Sequence, residues 1–430
     1  MKILFIEPSI GKQEITTFAY PPLGLLALAA YVREKGHKPY IYDTNHDNRK
    51  LLEVLWDTRP DIVGISCMSL TMNEGLMIAQ EIKKTNKNIK TVLGGIHPTI
   101  APEDATKVYV DYIVQGEGEK AMDDIINNFM ELSPYSLIKN LDDLPIPAYD
   151  LLNWNNYRSP YASRFPWACM VRSRGCIFKC TFCGNAKMFG NTFRCQSPQR
   201  TIEEIDQLLK ITKAREISFK DTELTLDKRL PELMELIIRK KYPIIWSCNG
   251  RASNVDEKLL KLMKLAGCRS ITYGVESGDE EILKYLKKPI TLDAVRNAVR
   301  LTKKVGIQTI LNFMIGNPYD TKETIEKTIN FAIELNPDYV YFGYTTPFPG
   351  TELREQAIKN NWLVDYKLES IRYDEPIMNA TNLSIKELKT YLKIAYKRFY
   401  IRLSYIFKQI KNLKFGKIKN YWEGLWKILS

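Results

Sequence analysis

Cysteine is scarce in this chain, with eight in 430 residues. That count excludes a disulfide-built secreted scaffold and fits a reducing compartment, so a cytoplasmic location is expected. A second C-x-x-C half, which a zinc ribbon would need, is missing. Residues 21–32 form an apolar stretch of only 12 residues, short of the roughly 20 that cross a bilayer. The opening run ends at Glu7 and Pro8, too short for a signal core and without a cleavage site. Acid is nearly absent from residues 381–430, where 12 Lys and Arg face only Glu387 and Glu423. Most of the net charge of +12 therefore sits in that tail, and the rest of the chain is close to neutral.

What is present is concentrated in one stretch, Arg172-Ser-Arg-Gly-Cys176-Ile-Phe-Lys-Cys180-Thr-Phe-Cys183. Cysteines at i, i+4 and i+7 converge on one point, whether on a helical face or in a loop. At this cysteine usage such a spacing arises by chance with odds of about 0.003. Thiolates bind soft metals, and Arg172, Arg174 and Lys179 are the neighbours expected to keep them deprotonated. Three ligands leave one metal position open, whereas structural zinc and electron-transfer clusters are closed by four. Zinc with Cys169 or Cys195 as a fourth ligand is the bland alternative.

The C-x-x-x-C-x-x-C spacing, with Phe182 before its last cysteine, resembles the signature of radical S-adenosylmethionine (SAM) enzymes. The resemblance implies a 4Fe-4S cluster on Cys176, Cys180 and Cys183. The amine and carboxylate of SAM would chelate its fourth iron, and Phe182 would lie among the SAM-binding residues.

Upstream, strands are expected at residues 2–7, 38–42, 61–66, 90–93 and 112–114, alternating with helices at 22–35, 51–56, 74–84 and 119–130. Five such units make an α/β, doubly wound parallel sheet of the flavodoxin or Rossmann type over residues 1–135. Ligands of such a sheet sit outside the carboxyl ends of the strands. The loops there carry Pro21, Pro22, Leu23 and Gly24; Ser66 and Met68; Gly94, Gly95 and His97; and Gly116, Glu117 and Gly118. Cobalamin-binding sheets carry D-x-H-x-x-G, then S-x-L, then G-G. Here 41 residues separate Gly24 from Ser66, and 25 separate Met68 from Gly94, so the frame is similar. Ala19 and Pro21 stand in place of the motif's Asp and His, which removes the histidine ligand of cobalt. Pro-Pro-Leu-Gly at that place is similar to the cobalamin-binding radical SAM subgroup, and by that resemblance these loop residues bind cobalamin. A generic nucleotide or regulatory domain is the plain alternative, with His97 a core or loop histidine.

Residues 136–165, rich in Pro, Asn and Tyr, are expected to link this domain to the next. Strand and helix then alternate from residue 168 to residue 345, six units that predict a partial (β/α)6 barrel over residues 166–360. Function in such barrels lies at the carboxyl ends of strands. Asp221 and Glu223 follow the second strand, Asn249 and Arg251 the third, Glu276 the fourth and Asn317 the fifth. By resemblance the acids after the second strand lie near the SAM amine, and Glu276 partners the ribose hydroxyls. Helix caps and surface ion pairs are their plainer roles. Thr346-Pro-Phe-Pro-Gly350 reads as a barrel-closing turn.

Residues 384–413 place Leu388, Leu392, Tyr396, Phe399, Leu403, Phe407 and Ile410 at helical spacing among lysines, within a helical carboxyl-terminal region, 361–430. This basic amphipathic helix either lies on the inner membrane face, where Tyr421, Trp422 and Trp426 suit the interface, or packs over the barrel mouth. A membrane-facing tail would favour a lipid-like acceptor over another small molecule.

The resemblance as a whole implies an enzyme using a 4Fe-4S cluster, SAM and cobalamin, reduced by a flavodoxin or ferredoxin. The expected activity is methylation of an unactivated carbon through a 5'-deoxyadenosyl radical and methylcobalamin. Cyclisation or rearrangement without methyl transfer is the alternative within the family. A methylthiotransferase would bring further cluster cysteines in its first domain, where only Cys67 stands. A non-catalytic iron-sulfur or RNA-binding protein is the alternative of another class, and nucleic acid is not the expected partner.

Overall fold

The structure, a computed structural model, describes residues 1–9, 20–128, 137–159, 161–367, 371 and 375–411, with side chains up to 407. The expectations placed on Ala19, the Ile410 side chain, Tyr421, Trp422 and Trp426 lie outside the described residues.

The first sheet is built from β1 (Lys2–Glu7), β2 (Lys38–Asp43), β3 (Ile62–Ser66), β4 (Lys90–Gly94) and β5 (Tyr112–Ile113), all parallel in the order β2-β1-β3-β4-β5. Helices cover both faces, so the central strands are buried on both sides. Ile3, Leu4, Phe5 and Ile6 are a continuous buried run rather than an alternating one. The strand order reverses between β1 and β3, and a crevice opens there at the carboxyl ends of the strands.

One acid in this sheet is poised for a pH effect. Burial, and then the neighbouring Asp43 carboxylate, push Glu7 up to about 8. A raised acid favours the protonated fold, so stability is full below about pH 4.5 and falls as pH rises toward 8. Glu7→Gln is therefore expected to match the native protein in melting temperature near pH 4.5 and to exceed it at pH 8. Thermal melts at the two pH values check this.

The second sheet runs β13-β12-β11-β10-β9-β6, six strands again all parallel. They are β6 (Trp167–Met170), β9 (Glu216–Phe219), β10 (Ile245–Gly250), β11 (Cys268–Glu276), β12 (Gln308–Ile315) and β13 (Tyr339–Tyr344). This is the expected α/β partial barrel. Between its first two strands the chain adds an antiparallel pair that the sequence reading missed, β7 (Ser173–Gly175) and β8 (Phe193–Cys195), which pins both ends of the cysteine loop. Gly175 has φ +90, and a Cβ there would fall 2.1 Å from the Thr192 carbonyl oxygen, so the pair closes only over glycine.

An open barrel leaves β13 as an edge with unpaired backbone groups, which is an aggregation hazard. The helix Ile385–Tyr400 covers it. Tyr396 Oη donates to Phe342 O at 2.7 Å and accepts from Phe342 N at 3.1 Å. Tyr400 does the same for Val340, and Tyr405 Oη donates to Asp338 O. The expected basic helix thus lies along the barrel's open edge, not over its mouth. It also stops at Tyr400 and resumes at Leu403–Lys411. The break centres on Arg402, whose guanidinium donates to Phe399 O, Ile333 O and Asn336 Oδ1. Removing the hydroxyl in Tyr396→Phe strands two backbone groups and is expected to cost about 1–3 kcal/mol in urea unfolding. Among the described residues no helix is long and apolar enough to cross a membrane.

The two sheets turn their carboxyl ends toward each other. Arg174 and Arg194, from β7 and β8, pair with Glu117, and Arg174 also reaches Glu119 at 2.6 Å. Tyr157 Oη donates to Asp43 at 2.7 Å. The Thr346–Gly350 turn does more than close the barrel. It abuts the helix Ile96–Ile100 of the first domain, where a Cβ on Gly350 would lie 2.5 Å from Ile100 O.

Candidate functional site

Between the facing strand ends lies a cavity of about 390 Å³. One wall is the first domain: Leu23 and Gly24 at a helix start, Ser66 at the end of β3, Gly94 and Gly95 at the end of β4, and Gly116, Glu117 and Gly118 beyond β5. The other is the barrel, with Val171, Ser173, Arg174, Gln196, Lys220 and Thr222. A Cβ at Gly24 would meet no protein atom within 4 Å, so the helix start is bare toward open space. This wide, largely apolar slot with a bare helix start fits a flat corrin. Pro21, Pro22 and Met68 do not line it.

His97 does not line it either. It is fully buried, with Nδ1 3.0 Å from Ser69 Oγ and Nε2 3.1 Å from Asp104 Oδ2. Burial lowers its pKa against the pull of Asp104. Both ring nitrogens are already used, so His97 serves the fold of its loop rather than the cavity.

The cysteine loop leaves β7 at the barrel's carboxyl end. Thr181 anchors it, with its N–H to Leu286 O at 3.0 Å and its carbonyl to Leu353 N at 2.9 Å, and Cys183 N donates to Cys180 O. Burial raises all three thiols, that of Cys180 to about 11. The cations that oppose this are not the sequence neighbours. Arg172 is fully buried and spent on Asp227 at 2.7 Å, Thr201 and Gln196 O, and Arg174 is spent on Glu117 and Glu119. Lys288 acts on all three thiols, and Arg251 on Cys176 and Cys180. The expectation that Arg172 and Arg174 provide the positive field is therefore corrected, because both are drawn into ion pairs elsewhere. Lys288 gave no signal in sequence, being one of two lysines before Pro289.

Beside the thiols stand the acids that the barrel rule singled out. Glu276 ends β11 with φ +70, directly after a register shift between Gly274 and Glu276. The bulge re-aims its side chain, and Oε1 meets Lys288 Nζ at 3.0 Å. Burial would lower the Lys288 pKa, but Glu276, Cys180 and Glu223 raise it. Glu223 has its Oε2 buried without a partner, and burial raises its pKa against Lys288 and Arg251. Asp221 is a latch: Oδ1 accepts from Ser173 Oγ and from Arg172 N, while Oδ2 is buried and unpartnered. Asn249 Nδ2 donates to Asp221 O at 3.0 Å. Arg251 is no surface ion pair. It is buried, its guanidinium lies 3.6 Å over the Phe178 ring, and it donates to Pro289 O. Phe182 packs against a small core of Leu353, Ala357, Leu363, Met378 and Ala380. Asn317 is spent within its own turn, on Met314 O, Asp320 and Thr345.

The donor set fits an open cluster better than zinc. Structural zinc closes with four ligands, whereas the loop offers three thiols and leaves one position open. Cys169 is buried in β6, and Cys195 Sγ accepts from Arg229 at 3.3 Å. The orphaned oxygen of Glu223 beside the thiols suits a cationic ligand, and SAM carries both an ammonium and a sulfonium.

Residues 16–126 match the family model of B12-binding domains, and residues 170–332 that of the radical SAM superfamily. The chain is 34% identical to an uncharacterized methyltransferase of Pyrococcus horikoshii, over 95% of each chain. It is 28% identical to the anaerobic magnesium-protoporphyrin IX monomethyl ester cyclase of Rubrivivax gelatinosus, over 94% of this chain and 78% of the cyclase. Among solved structures it resembles the cobalamin-dependent SAM radical enzyme OxsB with aqua-cobalamin and SAM bound. That match has a TM-score of 0.76 at 16% identity, over 99% of this chain and 70% of OxsB.

Proposed function

The chain belongs to the cobalamin-dependent radical SAM family of methyltransferases and their relatives, and from that premise we propose that it methylates an unactivated carbon of a small-molecule acceptor. The observation that carries the proposal is the cavity walled by the carboxyl ends of both sheets, with the cysteine loop leaving those same barrel ends. When bound, the cluster and SAM supply a 5'-deoxyadenosyl radical from an electron delivered by a flavodoxin or ferredoxin, and cobalamin supplies the methyl group.

The protein's part is to hold and orient. Cys176, Cys180 and Cys183 would hold the cluster and leave it one position for SAM. Glu223, with its free oxygen, would suit the SAM ammonium. Glu276, steadied by Lys288, would suit the ribose hydroxyls, and Phe182 packs beside the cysteine loop among the SAM-binding candidates. Gly24, whose missing Cβ faces open space, would let the corrin approach the backbone closely, and Gly94, Gly95, Gly116 and Gly118 line the same cavity. Hydrogen abstraction itself requires no acid or base from the chain.

The test is anaerobic reconstitution with iron, sulfide and cobalamin, followed by incubation with methyl-deuterated SAM, reductant and a small-molecule extract of the producing cells. Methyl transfer yields both 5'-deoxyadenosine and S-adenosylhomocysteine, and a product that carries the deuterated methyl. The cyclase relative favours a second reading, ring closure or rearrangement, which would yield 5'-deoxyadenosine with no label in the product.

A further inference from the structure

Four charged side chains line the large cavity: Glu117, Glu119, Arg174 and Lys220. The first three are paired, Arg174 with both acids and Glu117 with Arg194 as well. Lys220 is the exception. It sits one residue past the end of β9, and among the described residues its ammonium has neither a carboxylate partner nor a hydrogen-bond acceptor. It rests instead on aromatic faces, 3.8 Å from the Tyr20 ring centroid and 5.9 Å from that of Trp167. Burial lowers its pKa, and Cys169 is the one group that opposes the shift. A half-buried cation held by rings among the described residues keeps its three N–H donors for something else.

Its position indicates what that is. Lys220 lines not only the corrin cavity but also a second, smaller one of about 50 Å³ inside the barrel. That inner space is hydroxyl-lined, by Ser218, Ser247, Ser270 and Thr272 with the Asn249 amide. Ser218 and Ser247 bond each other at 2.9 Å, and Ser270 Oγ is buried with no partner. The lysine therefore stands where the corrin slot meets the barrel lumen, which is where an acceptor must lie to meet both cofactors.

We propose that Lys220 anchors an anionic group, a carboxylate or phosphate, on the methyl acceptor, with the lumen hydroxyls receiving its polar end. This rests on the function proposed above and names the class of its substrate: a small polar anion rather than a lipid. A charge-assisted bond to an ammonium in a water-poor slot fixes both the position and the direction of the carbon to be methylated.

The experiment uses reconstituted holoprotein, with acetate and inorganic phosphate as probes, titrated calorimetrically at constant ionic strength. Native protein and Lys220→Arg are expected to show one saturable anion site per chain. In Lys220→Met that site should weaken about ten- to a hundredfold, while cobalamin per chain, read from corrin absorbance, stays equal in all three. Equal anion binding in the native protein and Lys220→Met overturns the proposal. So does loss of cobalamin from Lys220→Met, since the lysine would then belong to the corrin. Failure of the native protein to take up cobalamin at all would instead overturn the functional reading, so the two failures are distinguishable.

Discussion

Replacing any one of Cys176, Cys180 and Cys183 by Ala is expected to abolish SAM cleavage while leaving cobalamin bound. In reconstituted protein, 5'-deoxyadenosine formation should fall about a thousandfold or more, and the double and triple replacements should cost little beyond the first, because the three ligands act as a unit. The structure explains why cobalamin should survive. The cavity wall runs through Leu23, Gly24, Ser66 and the glycines after β4 and β5, and none of the three cysteines lines it. The loop is held at its ends by the β7–β8 pair and by Thr181, both through backbone hydrogen bonds. The measurement is iron and corrin content beside product formation. A single replacement that kept iron-dependent cleavage would be fatal to the cluster assignment.

The second large effect falls on a residue with no catalytic signature. Lys288→Met leaves the Glu276 carboxylate buried without its 3.0 Å partner and removes the cation that faces Glu223 and the three thiols. Breaking one side of a buried pair costs about 3–5 kcal/mol, so chemical unfolding should show a marked loss of stability even before reconstitution. Glu276→Gln in the same chain should return part of that loss, since the orphaned charge is gone. The sign with pH is defined. The ammonium's pKa is raised above its usual 10.5, so its contribution is complete below that value and is lost only at higher pH. The gap between Lys288→Met and the native protein should then be flat between about pH 6 and 9. A gap that closed within that window would mean that another group carries the effect.

Much of the architecture was legible because its signals are local. Buried parallel strands are short apolar runs between helical repeats, and their alternation over residues 2–126 and 168–344 specifies two parallel sheets. The cysteine spacing and the glycines after β4 are local as well. Where the reading went astray, the deciding partner was distant in sequence. Arg174 looked like a neighbour of the thiols, yet it pairs with Glu119, 55 residues upstream. His97 looked available until Ser69 and Asp104 took both its nitrogens. The tail helix looked continuous, but Arg402 breaks it by reaching Ile333 and Asn336 on another helix. Lys220 was within reach of the barrel rule, because it directly precedes Asp221 at a strand end.

Sequence by itself determined the element order, the three-cysteine loop and the ends of the strands where chemistry would gather, because spacing along a chain sets which side chains share a face or a loop. Tertiary structure alone decided which charges face each other: Lys288 toward the thiols, Arg174 away from them, and Lys220, without a counter-ion among the described residues, between two cavities. Charges pair by distance in space after the two sheets have met end to end, and no local pattern records that meeting.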